Sequence, residues 1–243
     1  MDQISALAAS GLRARMQSLD LVANNIANSA TSGYKGDSEF YTLFTSEAAN
    51  EDAQNPPSTL PMIERPWTDF SQGLLEPTNN QTDLGLSGKA FFVVQGPSGP
   101  LYTRNGSFQM SPGGMLVTPE GYPVLQEGGA SFQVDHTQPL EVSLDGSVKQ
   151  RGQSLGQLQL VDFEDTSILA KQGSNYFRNA GSRPPISASG VQVYQGKVEA
   201  SNVGAAQGAV RLVTLMRQFE MMQKAISISN DMGRQSIEEV AKV

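Results

Sequence analysis

The chain contains no cysteine, which excludes disulfides and thiol chemistry. It has one histidine, His136, too few for a histidine-based zinc site or proton relay. Hydrophobic residues make up 38% and aromatics 7% of 243 residues, lean for a compact globule. No apolar run reaches the ~18 residues that a membrane-spanning helix needs. The start, Met1-Asp2-Gln3-Ile4-Ser5, lacks a cationic stretch followed by an apolar one, which speaks against a cleaved secretory signal peptide. Basic residues are also scarce: 17 against 24 acidic ones, a net charge of −7. That balance argues against nucleic acid or an anionic membrane as the main partner.

What is present falls into three textures. Residues 1–31 hold no proline and one glycine, Gly11, among many Ala, Leu, Gln and Arg, which are good helix formers. Leu12, Met16, Leu19, Ala23 and Ile26 are spaced 4, 3, 4, 3, the seam of a coiled-coil-type helix. Gly33, after Thr31-Ser32, is placed to stop that helix in a left-handed cap. The other end repeats the pattern. Leu212, Leu215, Phe219, Met222 and Ile226 are spaced 3, 4, 3, 4, and no proline follows Pro185. Ser201 or Asn202 is the expected N-cap.

The middle changes period. From about 72 to 200 the alternation is near two, broken by Gly113-Gly114, Glu120-Gly121, Gly128-Gly129 and Asp145-Gly146. Ala90-Phe91-Phe92-Val93-Val94-Gln95 reads as a strand, turned at Gly96–Pro100 into Leu101-Tyr102-Thr103-Arg104. Asn105-Gly106 is a hairpin-type dipeptide. The expected fold class is therefore α+β: an all-β domain, a small barrel or sandwich, inserted between long N- and C-terminal amphipathic helices that pair as a coiled-coil-like unit. The expected domains are 1–32 plus 202–243 as a helical assembly domain, 33–71 as an extended connector and 72–201 as the β domain. Asn55-Pro56-Pro57-Ser58 and Arg65-Pro66-Trp67 mark the connector as irregular chain.

Ile4, Leu7 and Val22 lie off the first seam, and Met216 and Met221 lie off the second. Surplus apolar surface of this kind predicts packing against other chains. No nucleophile elbow or phosphate-loop spacing occurs, and the acids Asp135, Glu141, Asp145, Asp162, Glu164 and Asp165 are scattered. No catalytic, cofactor-binding or metal site is expected. A self-contained β binding module forming a closed oligomer is the alternative that these residues leave open.

Three blocks then carry a resemblance. Leu21-Val22-Ala23-Asn24-Asn25-Ile26-Ala27-Asn28, with Thr31-Ser32-Gly33-Tyr34-Lys35, resembles the N-terminal signature of the flagellar rod, hook and hook-associated proteins. Ser71–Thr78, Gly88–Gln95, Tyr102–Phe108 and Gly114–Leu125 are similar to that family's rod and hook members, and Glu199-Ala200-Ser201-Asn202-Val203 and Arg217-Gln218-Phe219-Glu220-Met221 complete the pattern. The resemblance implies a non-enzymatic structural subunit of the bacterial flagellar basal-body rod, of the proximal rod, with the distal rod of the same family as the alternative. It implies copies of itself, other rod proteins and the flagellar type III export apparatus as partners. It also implies residence in the rod within the periplasmic space, reached without a cleaved signal peptide. On this reading Leu12, Met16, Leu19, Asn24, Asn25, Ile26, Asn28, Leu212, Leu215, Phe219, Met222 and Ile226 form the assembly interface. Asn24, Asn25 and Asn28 either hydrogen-bond between subunits or line a solvated helix end. Tyr34-Lys35 either anchors the connector or is ordinary surface, Arg104, beside Tyr102, is expected to form a cross-strand pair, and His136 is a solvated loop residue.

Overall fold

The computed structural model describes residues 3–39, 41–45, 59–63, 67–173 and 175–240. The chain is α+β, with two long helices flanking a mostly β region. It divides into two compact units: Met1–Ala27 with Asp37–Trp67 and Gly204–Val243, and Asn28–Gly36 with Thr68–Val203. Asn55–Ser58 and Arg65-Pro66, expected to be irregular chain, lie outside the described residues, as do the side chains of Ile4 and Leu7.

In the helical unit, α1 spans Gln3–Ala27 and α2 spans Ala205–Val240. α1 stops at Ala27, short of the expected end near 31, because Asn28 starts a turn: its carbonyl accepts the Thr31 amide at 3.0 Å. Asparagine favours such local bonds over the helix interior. Gly33 is left-handed, at φ +69°, but it sits in the loop beyond that turn and does not cap the helix. Part of the stretch expected to be an irregular connector is a two-stranded antiparallel ribbon. Tyr41–Thr45 pairs with Thr59–Ile63, from Tyr41 opposite Ile63 to Thr45 opposite Thr59, and Thr59–Ile63 lies against α1. Aromatic and β-branched residues at 41–45 favour the extended form. Pro61 is tolerated because a two-stranded ribbon has only edges.

The β unit is built around a six-stranded antiparallel sheet, ordered Leu169–Gln172, Tyr176–Asn179, Gly99–Thr103, Phe91–Gly96, Leu160–Asp162, Ile186–Ser187. Its central hairpin pairs Phe92 with Thr103 and Gly96 with Gly99. Side chains alternate across a strand, and both faces carry core. Phe92 and Val94 join Leu84, Leu86, Phe108, Leu116, Phe132 and Leu158 on one face. Phe91 and Val93 join Tyr102, Val161, Phe163 and Phe177 on the other. The second cluster is largely aromatic. Phe91 meets Phe70, Phe163 and Phe177 edge-on or tilted, at centroid distances of 5.6, 5.8 and 5.9 Å. Such pairs add about 0.5–1.5 kcal/mol each beyond area burial. Asn105-Gly106 is no hairpin turn. A Cβ on Gly106 would lie 1.7 Å from the Leu84 carbonyl oxygen, so glycine there serves close backbone approach.

Three exposed aspartates hold turns of this unit. Asp135 accepts from the Thr137 hydroxyl and amide at 2.7 and 2.9 Å, Asp145 from the Ser147 amide and hydroxyl at 3.0 and 2.8 Å, and Asp165 from the Ser167 amide at 2.9 Å. These bonds hold all three carboxyls below their ordinary value of 3.8. A depressed folded value means that their stabilisation is present above about pH 4 and is lost as pH falls through the folded values. The D135N/D145N/D165N variant, which keeps side-chain acceptors at all three turns, is expected to show a flatter loss of thermal stability between pH 4 and pH 2. Melts followed by circular dichroism test this.

Candidate assembly site

The two helices run antiparallel. Gly11 faces Met222, its would-be Cβ 3.0 Å from the methionine Cε, and Gly208 faces Ile26, its would-be Cβ 2.7 Å from Cγ1. On α2, Leu215 is buried and Leu212, Phe219, Met222 and Ile226 are half-buried. On α1 the buried face is a different one from the apolar seam in the sequence. Gly11, Ala14, Ser18 and Val22 are buried, whereas Leu12, Leu19 and Ile26 are half-buried, Met16 is 52% exposed and Ala23 is exposed. The glycines Gly11 and Gly208 let the two helices approach, and the buried Ser18 hydroxyl is satisfied by the Ala14 carbonyl at 3.1 Å, the usual back-bond of a helical serine.

α2 carries a second apolar stripe. At about 100° per residue, Val210, Met221 and Ile228 fall on one line, roughly opposite Leu215 and Phe219. All three are exposed, by 69, 64 and 51%. Val213 and Met216, both about half exposed, lie to one side of the line. An isolated helical hairpin gains nothing from a second apolar face.

The asparagines divide. Asn24 is exposed. Asn25 is held within the same unit: its Nδ2 donates to the Asp37 carbonyl at 2.7 Å and its Oδ1 accepts the Asp37 amide at 3.0 Å. Asn28 accepts a hydrogen bond from the Thr31 hydroxyl at 3.4 Å. In the helical unit, Arg211 of α2 also pairs with the nearly buried Glu39.

The β unit holds a cluster that the sequence did not disclose. Glu199 is fully buried, and its Oε1 accepts from the fully buried Lys35 ammonium at 2.6 Å and from the Gly73 amide at 2.8 Å. Its Oε2 accepts from Arg104 Nε at 2.8 Å, and its backbone carbonyl accepts the Gly33 amide at 2.7 Å. Lys35 also donates to the Ser71 carbonyl, and Arg104 donates to the Gly88 and Ala90 carbonyls. Burial pushes the Lys35 ammonium below its ordinary value, and the Glu199 carboxylate opposes that push. Lys35 is thus an interior anchor, and the pair that Arg104 forms is with Glu199, at the end of the Lys197–Glu199 strand. The structural reason is that Arg104 sits at the end of the Gly99–Thr103 strand, where the Glu199 carboxylate and two loop carbonyls meet. Asn202 does not cap α2. Its Oδ1 accepts the Gly36 amide at 2.8 Å and its Nδ2 donates to the Asp69 carbonyl at 2.7 Å. A Cβ on Gly33 would lie 2.2 Å from the Asn105 amide nitrogen, so only glycine lets the 33–36 segment pass there.

Nothing catalytic gathers around His136. It is exposed, and the neighbouring Asp135 carboxylate is held by Thr137. Among the described residues no group of His, Cys, Asp and Glu could hold a metal ion, and no helix is long and apolar enough to cross a membrane.

The helix contacts make a direct prediction. Gly208→Ala places its methyl against the β-branched Ile26 and is expected to destabilise the helical unit by about 1–3 kcal/mol. Gly11→Ala meets only the flexible tip of Met222 and is expected to be neutral, or stabilising by about 0.5–1 kcal/mol from helix propensity. Thermal melts read at the helical band compare the two.

Three family models match the chain in order. The flagella basal body rod protein model covers residues 7–35, the flagellar hook protein FlgE/F/G D1 domain covers 85–150, and the flagellar basal body rod FlgEFG protein C-terminal model covers 194–239. The chain is 34% identical to the flagellar basal-body rod protein FlgF of Caulobacter vibrioides, an alignment spanning 93% of this chain and 92% of that one. It is 30% identical to the FlgG of the same organism, over 93 and 94%. It is 32% identical to the FlgG of Buchnera aphidicola subsp. Acyrthosiphon pisum, over 91 and 94%.

Proposed function

The chain belongs to the flagellar basal-body rod protein family, as a structural protein, and from that premise we propose that it is a proximal-rod subunit of the FlgF type. Its terminal helices pack into a helical tube with copies of itself and with other rod proteins. The pairing of α1 and α2 is the coiled-coil-like building block of that tube, and the β unit stands apart from the assembly contacts. The subunit reaches the periplasmic space through the flagellar type III export apparatus. It performs no chemistry: torque passes through many parallel subunit contacts of the head-to-tail kind that build open helices.

The observation that carries assembly is the exposed stripe of Val210, Met221 and Ile228 on the α2 face away from the seam. Three well-exposed large apolar side chains in one line favour burial by a neighbour. The FlgF assignment is favoured by the comparison within one organism, where identity is 34% to FlgF and 30% to FlgG. The full set of Leu12, Met16, Leu19, Asn24, Asn25, Ile26, Asn28, Leu212, Leu215, Phe219, Met222 and Ile226 remains the proposed assembly region. Met16 and Asn24 are its most open members.

The absence of cysteine makes the test clean. Val210→Cys or Met221→Cys introduces the sole thiol of the chain, and in isolated basal bodies a photo-cross-linker attached to either thiol is expected to couple to a neighbouring subunit. Chains that assemble yet never cross-link from these positions would remove the stripe from the lattice contacts. Ile226→Asp places an unpaired carboxylate in the seam, where burying it costs several kcal/mol. It is expected to abolish motility in a strain lacking the native protein while leaving the β-type circular dichroism intact. Normal motility would count against the rod reading.

A further inference from the structure

Residues 33–36 follow the turn at the end of α1, and residues 199–202 precede α2. Both lie in the β unit and touch one another directly. Gly33 donates its amide to the Glu199 carbonyl at 2.7 Å, Gly36 donates its amide to Asn202 Oδ1 at 2.8 Å, and the Asn202 amide reaches the Tyr34 carbonyl at 3.4 Å. The Asn202 carboxamide adds Asp69, and the Asp69 amide donates back to the Gly36 carbonyl at 2.9 Å. Lys171 closes the outside of the loop, donating to the Lys35 carbonyl at 2.6 Å with its ammonium 4.5 Å from the centre of the Tyr34 ring. At the centre is the Glu199 carboxylate, bonded to Lys35 and Arg104.

The charges of this cluster are unequal. It has two cations and a single bonded anion, all three essentially without solvent contact. Lys35 and Arg104 repel each other, and each loses hydration on burial. Lys35 and Arg104 therefore cannot be buried side by side without Glu199, which comes 164 residues after Lys35 in the chain. Each of the three charged residues also comes from a different matched segment of the chain: Lys35 from 7–35, Arg104 from 85–150 and Glu199 from 194–239.

We propose that Glu199 is a latch that fixes two segments of the β unit, 33–36 and 199–202, only together, so that neither is set while the other is open. The latch opens as one subglobal unit, with the six-stranded sheet remaining closed. A chain missing either segment thus leaves the other without its anchor. This inference concerns the opening of the β unit and holds whether the subunit belongs to the proximal or the distal rod.

Native-state hydrogen exchange of the full-length protein tests it amide by amide. In Glu199→Gln the amides of Gly33, Gly36, Gly73 and Asn202 are expected to lose protection together, on the order of a hundredfold, because two cations remain buried without their carboxylate. Amides of the central hairpin, such as Val93 and Tyr102, are expected to lose far less. A merely structural role for Glu199 would lower protection in the sheet and in the two segments equally, and that result overturns the proposal. Loss confined to one segment, or no loss, overturns it as well. Should Glu199→Gln fail to fold, Lys35→Met keeps the Arg104 pair and provides the second reading. Gly33, Gly36 and Asn202 are expected to lose protection by a common factor of about ten, and unequal or absent loss refutes the latch.

Discussion

A single carboxylate in a dry interior organises the β unit. Glu199 holds the Lys35 ammonium at 2.6 Å and Arg104 Nε at 2.8 Å, and its backbone accepts the Gly33 amide. Charged groups are seldom fully buried, and breaking such a pair from one side leaves an uncompensated charge costing about 3–5 kcal/mol. The cluster is therefore a strong constraint on which segments meet, whatever its net contribution to stability. Gly33 has no Cβ because the Asn105 backbone occupies that space, and Asn202 is turned away from helix capping to bind Gly36 and Asp69.

The helical unit follows a different rule. Among its described residues no buried charge cluster organises it; it rests on an antiparallel helix contact in which Gly11 lies against Met222 and Gly208 against Ile26. Much of the apolar surface of α2 stays uncovered by that contact. The division of labour suits a structural subunit: the β unit has core on both sheet faces, whereas α2 lines up exposed apolar side chains on a face that a single chain does not bury. In a rod protein of the flagellar basal body, such a face has a use that a monomer has none for.

Much of this was legible locally. The long helices show in the 3–4 spacing of apolar residues, because helical periodicity is a property of neighbours in sequence. The Phe91-Phe92-Val93-Val94 strand and its hairpin partner were equally plain, and so were the glycine turns at 121, 128, 129 and 146. The register of α1 was not. Its buried face is made of Gly11, Ala14 and Ser18, which hydrophobicity passes over, whereas Met16 looked like a seam residue and is half exposed. The ribbon at 41–45 and 59–63 was masked by the prolines between and around its strands.

The sequence by itself determined the two long helices and the β texture between them, the absence of thiols, and the surplus of apolar residues at both ends. These depend on composition and on contacts a few residues apart. Only the tertiary structure decided that Lys35, Arg104 and Glu199 share one buried site, because up to 164 residues separate them and no local pattern records the pairing. It also decided which side of α1 is buried, because that depends on how closely a second backbone can approach. The signal that was available lay in Tyr34-Lys35 and Glu199–Asn202, charged and polar residues flanking both helices. Their type marked them, but only the fold could say that they meet.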